Sequence, residues 1–202
     1  MTGYREVNLK TLIERIGEDR VREILSDFSC PLNKDVEQFI RLKAIEFAKQ
    51  AIAATHLVFT SYQGRLVLVG FYSLSYKQFS VKRQAFGRNL RDRLKKFATY
   101  SPDMERYEIS APLIAQLAKN FTNGYNKLIS GDELLALACE RVKEVQMSIG
   151  GKVVYLECED KPELTSFYER NGFKQFDKRL LDRDEAELMS GEYLVQMLQY
   201  FR

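Results

Sequence analysis

The sequence predicts an α/β (α+β) fold in one globular domain, on three observations. Runs rich in β-branched and aromatic residues recur at residues 56–62, 65–76, 107–120, 152–157 and 193–201. Between them lie segments whose apolar residues repeat every three or four positions, the period of a helix with one buried face. The two patterns alternate without an internal repeat or a low-complexity linker, and 202 residues at 45% hydrophobic suit a single substantial core.

Leu9, Leu12, Ile13 and Ile16 keep helical spacing, and Gly17 ends the run. Residues 21–28 are ambiguous, and 24–28 read as a first strand. Pro31 breaks that segment. Asn33 is then an N-cap, with Asp35 and Glu37 in the first turn, for a helix running to about residue 53 on Val36, Phe39, Ile40, Ala44, Phe47 and Ala48. Residues 56–62 and 65–76, joined at Gln63-Gly64, read as an antiparallel hairpin. The second strand is nearly all apolar, which suits burial on both faces. Phe86, Leu90, Leu94 and Phe97 predict a helix over about 81–98, followed by a turn at 100–103. Pro112 lacks a ladder donor, so the extended run 107–120 is expected to bulge or to start at Leu113. Leu134 to Ile149 read as a helix ended by Gly150-Gly151, and Pro162 starts another that Asn171-Gly172 stops. A short strand at 173–176, a helix at 180–189 and a last strand at 193–201 close the chain. That last strand is a candidate edge for a homodimer.

The net charge of +3 is small, but its distribution is uneven. Lys77, Lys82, Arg83, Arg88, Arg91, Arg93, Lys95 and Lys96 cluster around one acid, Asp92, whereas Asp182, Asp184, Glu185, Glu187 and Glu192 make the C-terminal part acidic. A solvated face is the common outcome of such a run. Its functional readings are phosphate tracking on RNA and steering of an anionic ligand. No apolar run approaches the ~18 residues of a membrane span, and the first residues lack the apolar core of a signal peptide. The expectation is a soluble, cytoplasmic protein with no membrane partner. Cys30, Cys139 and Cys158 are odd in number and widely spaced, so they read as buried free thiols rather than disulfides. The lone His56 has no cysteine or acid cluster beside it, so no metal site is expected. Nucleophile-elbow, P-loop and dinucleotide-binding signatures are missing.

Residues 126–135, Asn-Lys-Leu-Ile-Ser-Gly-Asp-Glu-Leu-Leu, carry the sharpest local signal. They follow the apolar run 111–118 and open the best helical pattern. Ser130-x-x-Glu133 fits a capping box. A loop passing from a strand into a helix presents backbone N–H groups and the positive end of the helix dipole, which suits an anion.

Downstream, Phe167-Tyr168-Glu169-Arg170-Asn171-Gly172-Phe173 matches Phe-Tyr-x-x-x-Gly-Phe in full. With the strand, loop, helix and strand before it, this resembles the GCN5-related N-acetyltransferase (GNAT) superfamily over residues 56–176. The superfamily's helix-entry loop, Gln/Arg-x-x-Gly-x-Gly/Ala, is matched only at Gly131. Asn126 replaces the usual Gln or Arg, and Ile129 replaces the middle glycine. The segment Phe28-Ser-Cys-Pro-Leu32, with the helix and strand after it, resembles the branch that contains tRNA-acetylating toxins.

The resemblance implies a GNAT-like mixed central sheet, antiparallel in its N-terminal half, with splayed parallel central strands and flanking helices. The whole chain would be one such domain, with an N-terminal helical extension and a basic insertion at about 81–98. The implied activity is direct acetyl transfer from acetyl-CoA to an amine: a small molecule, a protein amine or an aminoacyl-tRNA. The implied cofactor site is the strand end Leu117, Ala118 and Lys119 with the loop Asn126, Lys127, Leu128, Ile129, Ser130, Gly131 and Asp132. Strand N–H groups would bind the pantetheine arm and the acetyl carbonyl. Tyr168 matches the general acid to the departing thiolate, against its ordinary role as a packed aromatic. Lys161 stands where the superfamily often has an asparagine on the cofactor arm, and a lysine there could meet a phosphate. Glu108, Glu157 and Glu159 lie near the central strands as candidate bases, but solvated carboxylates are the plainer reading. Carboxylates beside Cys158 argue against a nucleophilic thiol. The rival reading is a nucleic-acid-binding or regulatory module on the same fold, supported by the basic stretch and by the departures at Asn126, Ile129 and Lys161.

Overall fold

A computed structural model describes residues 3–182 and 191–201. The elements run β1 (Tyr4–Asn8), α1 (Leu9–Ile16), α2 (Glu18–Ser26), α3 (Lys34–Gln38), a π-helical turn (Phe39–Lys43), α4 (Ala44–Lys49), β2 (Ala54–Tyr62), β3 (Arg65–Lys82), α5 (Arg88–Leu94), a 3₁₀ turn (Lys95–Phe97), β4 (Ala98–Ser101), β5 (Arg106–Lys119), a second 3₁₀ segment (Thr122–Lys127), α6 (Gly131–Ile149), β6 (Val153–Glu159), α7 (Pro162–Arg170), β7 (Lys174–Leu180) and β8 (Tyr193–Tyr200). The strands pair in the order β1-β2-β3-β5-β6-β8-β7, with β4 added to β5. Pairing is antiparallel from β1 to β3 and parallel between β5 and β6 at Leu113↔Tyr155 and Ile114↔Leu156. This is the mixed, helix-flanked sheet expected of a GNAT-like fold. No helix among the described residues is long and apolar enough to cross a membrane.

The chain divides into two compact units, residues 1–75 with 115–138, and residues 76–114 with 139–202. In the first, Leu9, Leu25, Phe28, Ile40, Leu57 and Phe71 are fully buried in one apolar core. Asn8 caps α1 by accepting the Thr11 N–H at 3.3 Å, and Asn33 caps α3 by accepting that of Val36 at 3.1 Å. The hairpin β2–β3 carries one extra residue: Val58 faces Gly70 and Phe59 faces Leu68, so Val69 is passed over. The carbonyl of Val69 instead accepts the N–H of Asn120 at 2.8 Å. Gly70 is needed beside this bulge, because a Cβ there would lie 2.8 Å from the carbonyl oxygen of Ala118.

The second unit is held by an aromatic core. Phe79 stacks on Tyr155 with centroids 4.2 Å apart, and Phe176 packs against both at 5.5 and 6.0 Å. Leu90 and Phe86 pack against the same cluster, which also buries Leu94. β8 pairs with β6 on one side and β7 on the other.

Several expectations are corrected. The segment expected as a strand at 24–28 lies mostly in α2, where Val21 and Leu25 are buried one helical turn apart. β1 and β4 had no counterpart in the sequence reading; each pairs along one flank only, to β2 and β5. The helix expected at 81–98 begins at Arg88, because Phe79 and Val81 continue β3 with strand alternation into the core. The helix after Asn33 ends at Lys49 and contains the π turn. β5 passes through Pro112 as one strand from Arg106. The final strand is interior, with no free edge for a second copy. Of the helix expected at 180–189, Leu180 ends β7 and residues 183–190 lie outside the described residues.

Candidate active site

In the first unit, the end of β5 and the start of α6 are joined by a compact loop. Asn120 ties it down. Its buried side-chain carbonyl accepts the N–H groups of Ser29 at 3.0 Å and Thr122 at 3.1 Å, and its amide donates to the Leu68 carbonyl at 3.0 Å. The Phe121 N–H reaches the Ser29 carbonyl at 2.8 Å. The chain then reverses through Asn123 (φ 52°) and Gly124 (φ 74°). The left-handed turn sits there and not at Ile129, which explains how a β-branched residue is tolerated where the superfamily has glycine. Ile129 is buried, as is Leu134, and these are the two positions a hydrophobic staple joins around an N-cap. Tyr4 pins the loop from β1 by donating its hydroxyl to the Leu128 carbonyl at 3.1 Å.

The capping box at Ser130 is closed in both directions. The Glu133 carboxylate accepts the Ser130 N–H at 2.8 Å, and Ser130 Oγ accepts the Glu133 N–H at 3.1 Å. These bonds hold the Glu133 carboxyl below its usual range. They also occupy two amides that an anion would otherwise use. Among the groups left for an anion are the Gly131 N–H, which has no acceptor among the described residues, and two lysines. Lys127 is exposed and Lys119 half-buried, and neither ammonium has an ion pair among the described residues. Leu117 and Ala118 lead into this loop on β5, Asn126 lies within it, and Asp132 is exposed in the first turn of α6. The loop can therefore offer a phosphate the Gly131 amide and two positive charges, while the closed cap withholds the amides of Ser130 and Glu133.

The second unit holds Lys161 and Tyr168. α7 starts with Pro162 after Lys161 and ends at the Asn171-Gly172 turn. Gly172 takes φ +90°, which L side chains rarely adopt, so the backbone itself requires the glycine of the motif; a Cβ there would also meet the movable end of the Gln199 side chain at 2.7 Å. Tyr168 packs edge-on against Phe167 and Phe173 at 4.9 and 5.9 Å, yet it stays partly accessible. Its hydroxyl makes no hydrogen bond among the described residues. Crowding by protein atoms, then Cys158 and Cys139, raises its pKa above that of an ordinary phenol, so it stays protonated. Burial pushes the thiols of Cys139 and Cys158 up to about 12, with Asp160 and Glu159 adding to it at Cys158. Neither is a nucleophile at neutral pH. The Lys161 ammonium lies 2.7 Å from Glu159, so it is already engaged by protein.

The expectation of solvated carboxylates fails at Glu157 and Glu159, both on β6. Glu157 is half-buried and receives Arg179 through two bonds of 2.9 and 2.8 Å, Gln196 at 3.1 Å, the Tyr155 hydroxyl, and Lys77 at 3.3 Å. Burial alone would raise its pKa. The bonds from Arg179, Tyr155 and Gln196 and the charge of Lys77 outweigh that and hold it at about 2. A carboxylate so held cannot accept a substrate proton near neutrality. The sequence offered no signal for this cluster, whose members come from four strands. The groups of three or more His, Cys, Asp or Glu that a metal needs are missing among the described residues.

No family model and no curated protein matches this sequence. The fold does match solved structures. The chain aligns over 95% of its length with 93% of AtaT complexed with acetyl-methionyl-tRNAfMet, at TM-score 0.62 and 16% identity. A tyrosine-to-phenylalanine mutant of KacT aligns at TM-score 0.62 and 14% identity, over 96% of this chain and 94% of that one. AtaTR bound with AcCoA aligns at TM-score 0.55 and 16% identity, over 96% and 93%. At such identities the likeness is one of fold, and that fold is GNAT-like.

Proposed function

We propose that this chain is an acetyl-CoA-dependent N-acetyltransferase acting directly on the amine of an aminoacyl-tRNA, as one domain over residues 1–202. The observation that carries the reading is a complete Phe-Tyr-x-x-x-Gly-Phe helix, with an accessible, protonated Tyr168, on the fold of AtaT. AtaT is solved with acetyl-methionyl-tRNAfMet and AtaTR with AcCoA, which supports this acceptor and this cosubstrate over a small amine or a protein amine. AtaT is also solved bound to the C-terminus of the antitoxin AtaR, so an antitoxin partner belongs to the proposal.

In this reading Lys119, Lys127 and the Gly131 amide bind the anionic end of the cosubstrate. Leu117 and Ala118 line its arm through their backbone, and Asn126, Leu128, Ile129, Ser130 and Asp132 shape the loop. Lys161 is the least available member, because Glu159 already holds it. The acceptor amine attacks the thioester carbonyl, so a C–N bond forms and the C–S bond breaks. The amine nitrogen gives a proton to solvent and the departing sulfur takes one from Tyr168. No protein carboxylate is assigned as base, and Glu157 is excluded from that role. A second reading, a nucleic-acid-binding module without transfer, draws on the basic stretch, where Arg83, Arg91 and Lys96 have no ion pair among the described residues, and on the closed capping box.

The test is acetyl transfer to aminoacyl-tRNA by wild type and Tyr168→Phe, with acetyl-CoA affinity measured alongside. The variant is expected to lose roughly 10²-fold in kcat with acetyl-CoA affinity unchanged, the usual worth of a positioned acid. Because the Tyr168 pKa is raised, wild-type kcat should show no falling limb up to about pH 9. Failure of the wild type to bind acetyl-CoA would remove the enzyme reading. Salt-sensitive RNA binding that survived such a failure would favour the second.

A further inference from the structure

A concave site of about 530 Å³ in the second unit is lined by Gln78, Lys96, Phe97, Ala98, Thr99, Glu108 and Ser110. Its volume lies within the ~300–1,000 Å³ of small-molecule pockets. The proposed transfer reaction does not use it. Two of its walls are the paired strands β4 and β5, where Thr99 sits opposite Glu108. The 3₁₀ turn Lys95–Phe97 adds a cation and an aromatic ring, and Gln78 comes from β3.

The two charges of this site have no ion pair among the described residues, whereas several charges elsewhere in the unit are paired. Lys95 and Arg88 both pair with Asp92, at 2.9 and 3.8 Å. Among the acids, Asp177 is met by Lys82 and Arg106, Glu159 by Lys161, Asp160 by Lys178, and Glu157 by Lys77 and Arg179. The half-buried Glu108 has no ion pair or hydrogen bond from its carboxylate among the described residues, and neither does the Lys96 ammonium. The two line one hollow without pairing with each other. Opposite charges set apart along one concave wall favour a ligand that carries both signs. A lone anion would be repelled by Glu108 and a lone cation by Lys96. A small zwitterion satisfies both, and its apolar part can lie on the Phe97 ring.

We propose that this hollow binds a small zwitterionic amine of the α-amino-acid type, its ammonium on Glu108 and its carboxylate on Lys96. The test uses three charge-matched probes, without acetyl-CoA: L-phenylalanine (zwitterion), L-phenylalaninamide (cation) and N-acetyl-L-phenylalanine (anion). Backbone amide shifts in nuclear magnetic resonance titrations give location and Kd together. The zwitterion should move the Lys96, Thr99 and Glu108 amides and bind about tenfold more tightly than either singly charged probe, the effect of one lost charge contact. Glu108→Gln should weaken the zwitterion and the amide while sparing the N-acetyl probe. Lys96→Met should weaken the zwitterion and the N-acetyl probe while sparing the amide. Equal affinity for all three probes, shifts confined elsewhere, or variants that weaken every probe alike would overturn the proposal. Since no step uses acetyl-CoA, the result stands apart from the transferase reading.

Discussion

The loop around Ser130 and the cluster around Glu157 are both rich in charge, and they use it in opposite ways. Around Glu157 the charge is spent inside the protein: one carboxylate receives an arginine, a lysine, a tyrosine and a glutamine. Around Ser130 the helix cap is closed, but Lys119, Lys127 and the Gly131 amide are left over. A saturated cluster holds a fold together and has no valence left for a ligand. Groups that remain without partners beside a rigid turn are where a ligand can be recognised. Charge density alone does not separate the two cases; hydrogen-bond accounting does.

The largest effect expected is on the saturated side. Arg179→Leu removes two charge-assisted bonds from the half-buried Glu157 carboxylate, which keeps Lys77, Tyr155 and Gln196, and should cost about 3 kcal/mol, lowering the thermal midpoint by roughly 6–12 °C. Glu157 titrates at about 2 in the folded protein against an ordinary 4.5, so its contribution is complete above pH 4.5 and is lost as pH falls toward 2. The gap between wild type and variant should therefore shrink on acidification over that window, and a gap independent of pH would show that the carboxylate is not its source. Next comes Asn120→Ala, which removes the acceptor of two part-buried N–H groups and a donor to the buried Leu68 carbonyl. About 2 kcal/mol is expected in denaturant unfolding; a loss below about 0.5 kcal/mol would mean that water replaces the side chain. Ser130→Ala opens the cap and should cost about 1 kcal/mol, read the same way. Lys127→Ala should leave stability unchanged and raise the KM for acetyl-CoA by roughly 3- to 10-fold, the worth of one exposed charge contact. If Lys127→Ala altered stability instead, the contrast between the two regions would collapse.

Legibility in the sequence followed the distance between partners. The caps at Asn33 and Ser130 act over three residues, and both are in place as the sequence indicates. The α7 helix, its Asn171-Gly172 stop and the β2–β3 hairpin were equally readable, since each rests on local spacing and turn chemistry. Asn120 was passed over as the end of a strand, because its partners Ser29 and Leu68 lie 91 and 52 residues away. The helix at 81–98 was drawn too long because Phe79 and Val81 fit a strand, while the residues after Gly87 fit a helix, and periodicity blurs at that junction.

By itself the sequence determined the mixed fold class, the capped start of α6 and the Phe-Tyr-x-x-x-Gly-Phe helix. These depend on propensity, period and contacts within a few residues. Tertiary structure alone decided that the positive-φ turn falls at Asn123-Gly124 while Ile129 is buried, and that the last strand is interior. It also decided that Glu157 is saturated by Arg179 and Lys77, 22 and 80 residues away, while Glu108 is not. Whether a charged side chain is spent or available depends on which strands fold beside it, and that pairing is fixed only when the chain closes its long-range contacts.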